Sequence, residues 1–213
     1  MNFLLDGPEH ADVTVLLAHG AGGAMDSAGM NAIAAALAGA GFRVARFEFA
    51  YMAGRRSGAR RPPPKAEMLK PEYIAAVDAL GATGPLIVGG KSMGGRVASM
   101  VADDLQAAGR IAGLLCVGYP FHPVGKPDQW RTAHLEHMRT PALIAQGARD
   151  PFGARDEVAP LTLSDAIDII WFEDGDHDLR PRKSVSGYTA QDHLDRLARE
   201  VRDWVKRVDL RPS

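Results

Sequence analysis

The 213-residue chain sets 25 lysines and arginines against 26 aspartates and glutamates, a net charge of −1 that gives no reason to expect nucleic acid or a membrane surface as partner. Hydrophobic residues at 46% and charged residues at 24% exclude global disorder and allow the sizeable core of one α/β domain spanning residues 1–213. A single cysteine, Cys116, excludes an intrachain disulfide and a cysteine-type zinc site, and its apolar surroundings mark it as a core thiol.

Met1 to Glu9 has no basic segment and no long apolar one, so no secretory leader is expected. No run of about 18 apolar residues follows, and the expectation is a cytoplasmic protein without a membrane partner. Val13 to Ala18 is a β-branched apolar run that delivers a glycine-rich loop, His19-Gly20-Ala21-Gly22-Gly23. Ser27 is placed to cap a helix from Met30 to Ala38, closed by Gly39 and Gly41. Arg43 to Phe49 returns as a strand. Gly54 to Lys65 then breaks all periodicity, with Arg55, Arg56, Arg60, Arg61 and Lys65 set around Pro62-Pro63-Pro64. That segment is either a solvated surface loop or a stiff pocket wall that favours anionic substrates.

Pro71 to Leu80 forms a helix, and Pro85 to Val88 is too short for one and reads as a buried strand. After Gly89-Gly90-Lys91-Ser92-Met93-Gly94-Gly95, the helical spacing of Val97, Met100, Val101 and Leu105 begins a helix at about the serine. Further strands are expected at Ile111 to Val117, Pro141 to Gln146 and Ile167 to Phe172, and Leu194 to Val208 marks one face of a terminal amphipathic helix. Strands alternating with helices predict an α/β fold, a three-layer αβα sandwich around a mostly parallel sheet.

In such sheets functional groups gather at the carboxyl ends of the strands. Those ends carry His19-Gly20-Ala21-Gly22, Tyr51 with the arginine segment, Ser92, His122, Asp150 and His177. Gly90-Lys91-Ser92-Met93-Gly94 fits the G-x-S-x-G nucleophile elbow, whose turn leaves no room for side chains at the two glycines. Ser92, Asp150 and His177 occur in the order expected of its catalytic partners. Gly90-Lys91-Ser92 also matches the tail of a phosphate-binding loop, but Pro85 stands where the leading glycine belongs and Leu86 to Val88 is strand material. The acidic run Asp174-Gly175-Asp176-His177-Asp178 lacks the glycine and glutamate spacing of a calcium loop, so no metal and no cofactor is expected.

On these motifs, with Gly147-Ala148-Arg149-Asp150 and Gly175-Asp176-His177, the chain resembles the α/β-hydrolase superfamily over nearly its whole length, in particular the small lidless branch related to dienelactone hydrolase and short carboxylesterases. The resemblance implies a minimal α/β-hydrolase fold without a cap domain, short of one or two N-terminal strands found in larger members. It implies that Ser92 attacks an acyl carbonyl, His177 relays the proton and Asp150 orients the imidazole. The oxyanion hole would come from the backbone N–H of Met93 and of Ala21, or of Gly22, each donor worth roughly 10²–10³ in rate. His19, Tyr51, Lys91 and His122 are the expected pocket residues, with His19 also placed to order the glycine loop and Lys91 either lining the pocket or pointing to solvent. The implied activity is hydrolysis of a small ester, thioester or lactone, with a small acyl compound as partner. A catalytically idle binding module on the same scaffold, and more distantly a nucleotide-binding protein, are the alternatives.

Overall fold

A computed structural model describes residues 1–56, 58 and 62–208 of the chain. Side chains alternate between the faces of a strand, and Thr14–Ala18 (β2) uses both faces. Val15 and Leu17 enter one apolar cluster and Leu16 and Ala18 the other, all essentially sealed from solvent. Every strand of this kind needs helices on both sides. Ala28–Gly39 (α1) supplies Met30, Ile33, Ala34 and Leu37 at helical spacing to the first cluster, and Ala190–Arg207 (α8) adds Leu197, Val201 and Trp204. On the opposite face Lys70–Leu80 (α3) contributes Tyr73, Ala76 and Val77. That is the expected three-layer sandwich.

The remaining elements are Phe3–Asp6 (β1), Arg43–Phe47 (β3), Ala50–Arg56 (α2), Leu86–Lys91 (β4), Met93–Ser99 (α4), Ala102–Ala107 (α5), Gly113–Val117 (β5), Ala142–Gly147 (β6), Arg155–Val158 (α6), Ile167–Phe172 (β7) and Lys183–Ser186 (α7), with a 3₁₀ turn at Ala66–Leu69 leading into α3. The seven strands run in the order β1-β3-β2-β4-β5-β6-β7, parallel except for β1, which pairs antiparallel with β3. Residues 118–141, between β5 and β6, hold neither helix nor strand, so there is no cap domain. No helix among the described residues is long and apolar enough to cross a membrane.

Several local expectations change. β1 is an additional strand, fastened at its end by an ion pair from Asp6 to the buried Arg46 at 2.8 Å. The arginine segment begins as helix α2, in which Arg56 pairs with both Asp26 and Glu48; Arg60 and Arg61 lie outside the described residues. Ser27 occupies the cap position of α1 but makes no side-chain capping bond. The helix after Ser92 is two short helices, α4 and α5, divided at Met100 and Val101.

Candidate active site

From β2 the sheet grows one way to β3 and the other way to β4. Loops leaving neighbouring strands at such a reversal diverge to opposite faces and leave a crevice at the carboxyl edge. Ala18 of β2 pairs with Gly90 of β4, so the His19–Gly23 loop and Ser92 emerge side by side. A Cβ added to Gly20 would lie 3.6 Å from the Ser92 Cβ.

Ser92 joins β4 to α4 with φ 53° and ψ −118°, a backbone state that L-residues rarely hold and that clusters at functional sites. The flanking glycines are required by space. A Cβ on Gly90 would fall 2.8 Å from the Gly94 carbonyl carbon, and one on Gly94 would fall 2.6 Å from the His19 carbonyl oxygen. From the other side of the crevice, β6 and β7 bring Asp150 and His177 to the same point. The His177 Nε2 lies 2.8 Å from the Ser92 Oγ, and its Nδ1 lies 2.8 Å from the Asp150 Oδ2. An ionised carboxylate can only accept, so Nδ1–H donates to Asp150 and Nε2 is left to accept the Ser92 hydroxyl.

Asp150 is fully buried, and its other contacts are supplied by groups the sequence did not single out. The Phe152 N–H donates to Oδ1 at 2.9 Å and the Gln146 side-chain amide to Oδ2 at 3.0 Å. Gln146 is a buried polar residue closing the apolar run Ala142 to Ala145, which is the one signal that could have marked it. The Phe152 ring packs on the His177 ring at 4.3 Å. The neighbouring acids do other work. Asp174 is bound by Arg182, which holds its carboxyl down to about 2, and Asp176 accepts from the N–H groups of Asp178 and Arg180 at 2.9 Å.

The N–H groups of Met93, at the first position of α4, and of Ala21 have no hydrogen-bond partner among the described residues. The loop carrying Ala21 and Gly22 is fixed from beneath. His19 Nε2 accepts the Phe49 N–H at 3.2 Å, so its Nδ1–H donates to the Gly20 carbonyl at 2.7 Å, and the Tyr51 hydroxyl donates to the Ala21 carbonyl at 3.1 Å. Burial lowers the His19 pKa and raises that of Tyr51 to about 12, so both act as neutral struts.

Two cavities meet at Ser92, Ala21 and Phe152. The larger, about 550 Å³, runs between α1 and α8 and is lined by Met30, Ile33, Leu194, Lys91 and His177. The smaller, about 450 Å³, lies on the α4 side and is lined by Lys65, Glu67, Met93, Arg96, Pro120 and Arg131. Among the four expected pocket residues only Lys91 lines either cavity, its ammonium 3.4 Å from Asp178 and its pKa lowered by burial. His19 and Tyr51 sit under the loop instead. His122 is turned inward against Trp130, with its Nδ1 2.9 Å from the Pro123 carbonyl oxygen. The phosphate-loop alternative fails on backbone geometry: residues 86–91 are continuous strand, so no loop precedes the serine to surround a phosphate.

Residues 11–206 match the family described as the alpha/beta hydrolase domain. Among solved structures, the chain is similar to the dienelactone hydrolase of Anabaena variabilis (20% identity, TM-score 0.72, covering 97% of this chain and 91% of that one). It is also similar to Est1E of Butyrivibrio proteoclasticus, solved with ferulic acid bound (15% identity, TM-score 0.68, 97% and 94%), and to the esterase domain of a Rhodothermus marinus protein (17% identity, TM-score 0.65, 96% and 91%). At these identities the likeness is one of fold.

Proposed function

This chain belongs to the α/β-hydrolase domain family, and within it we propose a cofactor-independent serine hydrolase that cleaves a small ester, thioester or lactone through an acyl-enzyme. The observation that carries the reading is the unbroken line from Ser92 Oγ through His177 to the buried Asp150, with both links at 2.8 Å and the serine open to two cavities. Ser92 Oγ bonds to the acyl carbon while its proton passes to His177 Nε2. The imidazolium, held by Asp150, gives that proton to the departing oxygen or sulfur. Water, deprotonated by the same nitrogen, then releases the acid and restores Ser92. Negative charge on the carbonyl oxygen in both steps falls to the N–H groups of Met93 and Ala21, with Gly22 the alternative donor.

A fluorophosphonate probe tests this directly. Purified protein should be labelled on Ser92, and Ser92→Ala should abolish labelling together with hydrolysis of short acyl esters. No labelling of the unaltered protein, or equal labelling of the variant, would sink the proposal.

A further inference from the structure

The two cavities at Ser92 differ in charge, and His177 lines only one of them. This distinguishes the two halves of a substrate, because the group that receives the proton from His177 Nε2 must leave on the histidine side. The leaving group therefore occupies the larger cavity, beside Met30, Ile33 and Leu194. The acyl chain extends into the smaller one, next to Met93.

That smaller cavity holds three cations, Lys65, Arg96 and Arg131, against one carboxylate, Glu67. Glu67 is committed to Arg96, whose Nη2 donates to it at 2.7 Å, and the Arg96 Nε is buried with no hydrogen-bond partner. Arg131 is half-buried and makes no ion pair or side-chain hydrogen bond among the described residues. Burial first, and then the adjacent Arg96, lower its pKa by more than Tyr119 and the Glu67 carboxylate raise it, so its charge is held at a cost. In the larger cavity, by contrast, the cations Lys91 and Arg180 share Asp178 at 3.4 and 3.9 Å. Half-buried guanidinium groups suit bidentate recognition of a carboxylate.

Resting on the serine-hydrolase reading above, we propose that the acyl half of the substrate carries a free carboxylate, seated on Arg131 with Arg96 and Lys65 around it. The substrate class is the hemiester or hemithioester of a short dicarboxylic acid with an uncharged, largely apolar leaving group. Ser92 would carry the mono-acyl group of the diacid, and water would release the dicarboxylate.

The test compares kcat/KM for 4-nitrophenyl hemiesters of glutaric and adipic acid with that for 4-nitrophenyl pentanoate and hexanoate. A third class, hexanoate esters of 4-hydroxybenzoic acid, places the carboxylate on the leaving group. The unaltered protein should favour the hemiester over the uncharged acyl ester by about tenfold or more, in line with one charge-assisted hydrogen-bonded pair. Arg131→Gln should reduce that ratio about tenfold, Arg131→Lys should retain part of it, and Arg131→Glu should reverse the preference. A ratio near one in the unaltered protein, a ratio unmoved in Arg131→Gln, or a preference for the carboxylated leaving group would each overturn the assignment. If Ser92 labels and uncharged esters are cleaved, such a result removes only the carboxylate subsite. Absence of labelling and of all three hydrolyses removes the underlying function as well.

Discussion

The side-chain amide of Gln146 is fully engaged. Its oxygen accepts the Tyr119 N–H at 2.7 Å, and its nitrogen lies 3.0 Å from Asp150 Oδ2, 3.1 Å from the Gly153 carbonyl oxygen and 3.2 Å from that of Tyr119. It therefore holds the carboxylate and two loops in one arrangement, without itself reaching Ser92. Gln146→Leu keeps the volume but leaves the buried Tyr119 N–H and one Asp150 oxygen short of partners, at about 1–3 kcal/mol for each unsatisfied group. The expected outcome is a lowered denaturation midpoint and a fall in kcat of about tenfold or more, with KM changed much less, because the misplacement affects His177 rather than substrate contacts. Steady-state kinetics on a short acyl ester and urea unfolding read the two effects. An unchanged kcat would mean that Asp150 does not need this anchor.

At the scale of elements, the junction of β4 and α4 has no spare volume. Gly94→Ala must displace the end of β2 or move the elbow, since the new methyl would run into the Ala18 carbonyl oxygen and lie 2.6 Å from that of His19. Overpacking of that kind costs about 1–3 kcal/mol, and any movement of Ser92 from its 2.8 Å contact with His177 lowers activity as well. Gly39→Ala at the end of α1 is the control, because nothing lies within 4 Å of its added methyl. It should stabilise by up to about 1 kcal/mol with activity unaltered. Melting temperatures and ester turnover of the two variants should move apart in this way, and equal behaviour would refute the packing account. The contrast also shows what the sequence carries. Long apolar runs and the glycines around Ser92 are local signals, so the parallel strands and the residues at their ends are legible in order. β1 was not, because four residues from Phe3 to Asp6 become a strand only through pairing with β3 and the ion pair to Arg46. α2 was hidden by Gly54 and by its arginines; Arg56 finds its partners, Asp26 and Glu48, on other segments. Tyr51 and His122 follow strands and so share a sequence signature with pocket residues. Only the side-chain direction, inward in both, separates them from Phe152 and Arg131, which do line the cavities.

Across the whole molecule acidic and basic residues nearly cancel, and the response of stability to pH is carried by the groups whose pKa the fold shifts. His134 is the clearest. The Ser99 hydroxyl donates to the Arg96 carbonyl at 2.8 Å, so it accepts from His134 Nε2–H, also at 2.8 Å, and a second proton would have to enter on Nδ1. Burial, followed by the Arg96 charge, lowers its pKa to about 4 from an ordinary 6.5, and burial moves His19 in the same direction. With the folded pKa below the unfolded one, the unfolded chain binds the proton first as pH falls. Stability is therefore lost from about pH 6.5 and the loss is complete near pH 4; for His134 it amounts to at most about 3 kcal/mol. Asp174 has the opposite sign and a different window. Its pKa is depressed to about 2 by Arg182, so its contribution is present above about 3.8 and disappears only as pH falls through 2. Urea unfolding at pH 7 and pH 4.5 should thus report histidines rather than carboxylate pairs. His134→Gln, which keeps a donor toward Ser99, should flatten the difference between the two pH values while Arg182→Gln leaves it in place. A His134→Gln protein with the same pH slope as the unaltered chain would move the acid sensitivity to His19 and the strut beneath the Ala21 loop, and loss of structure would then begin at the proposed oxyanion site.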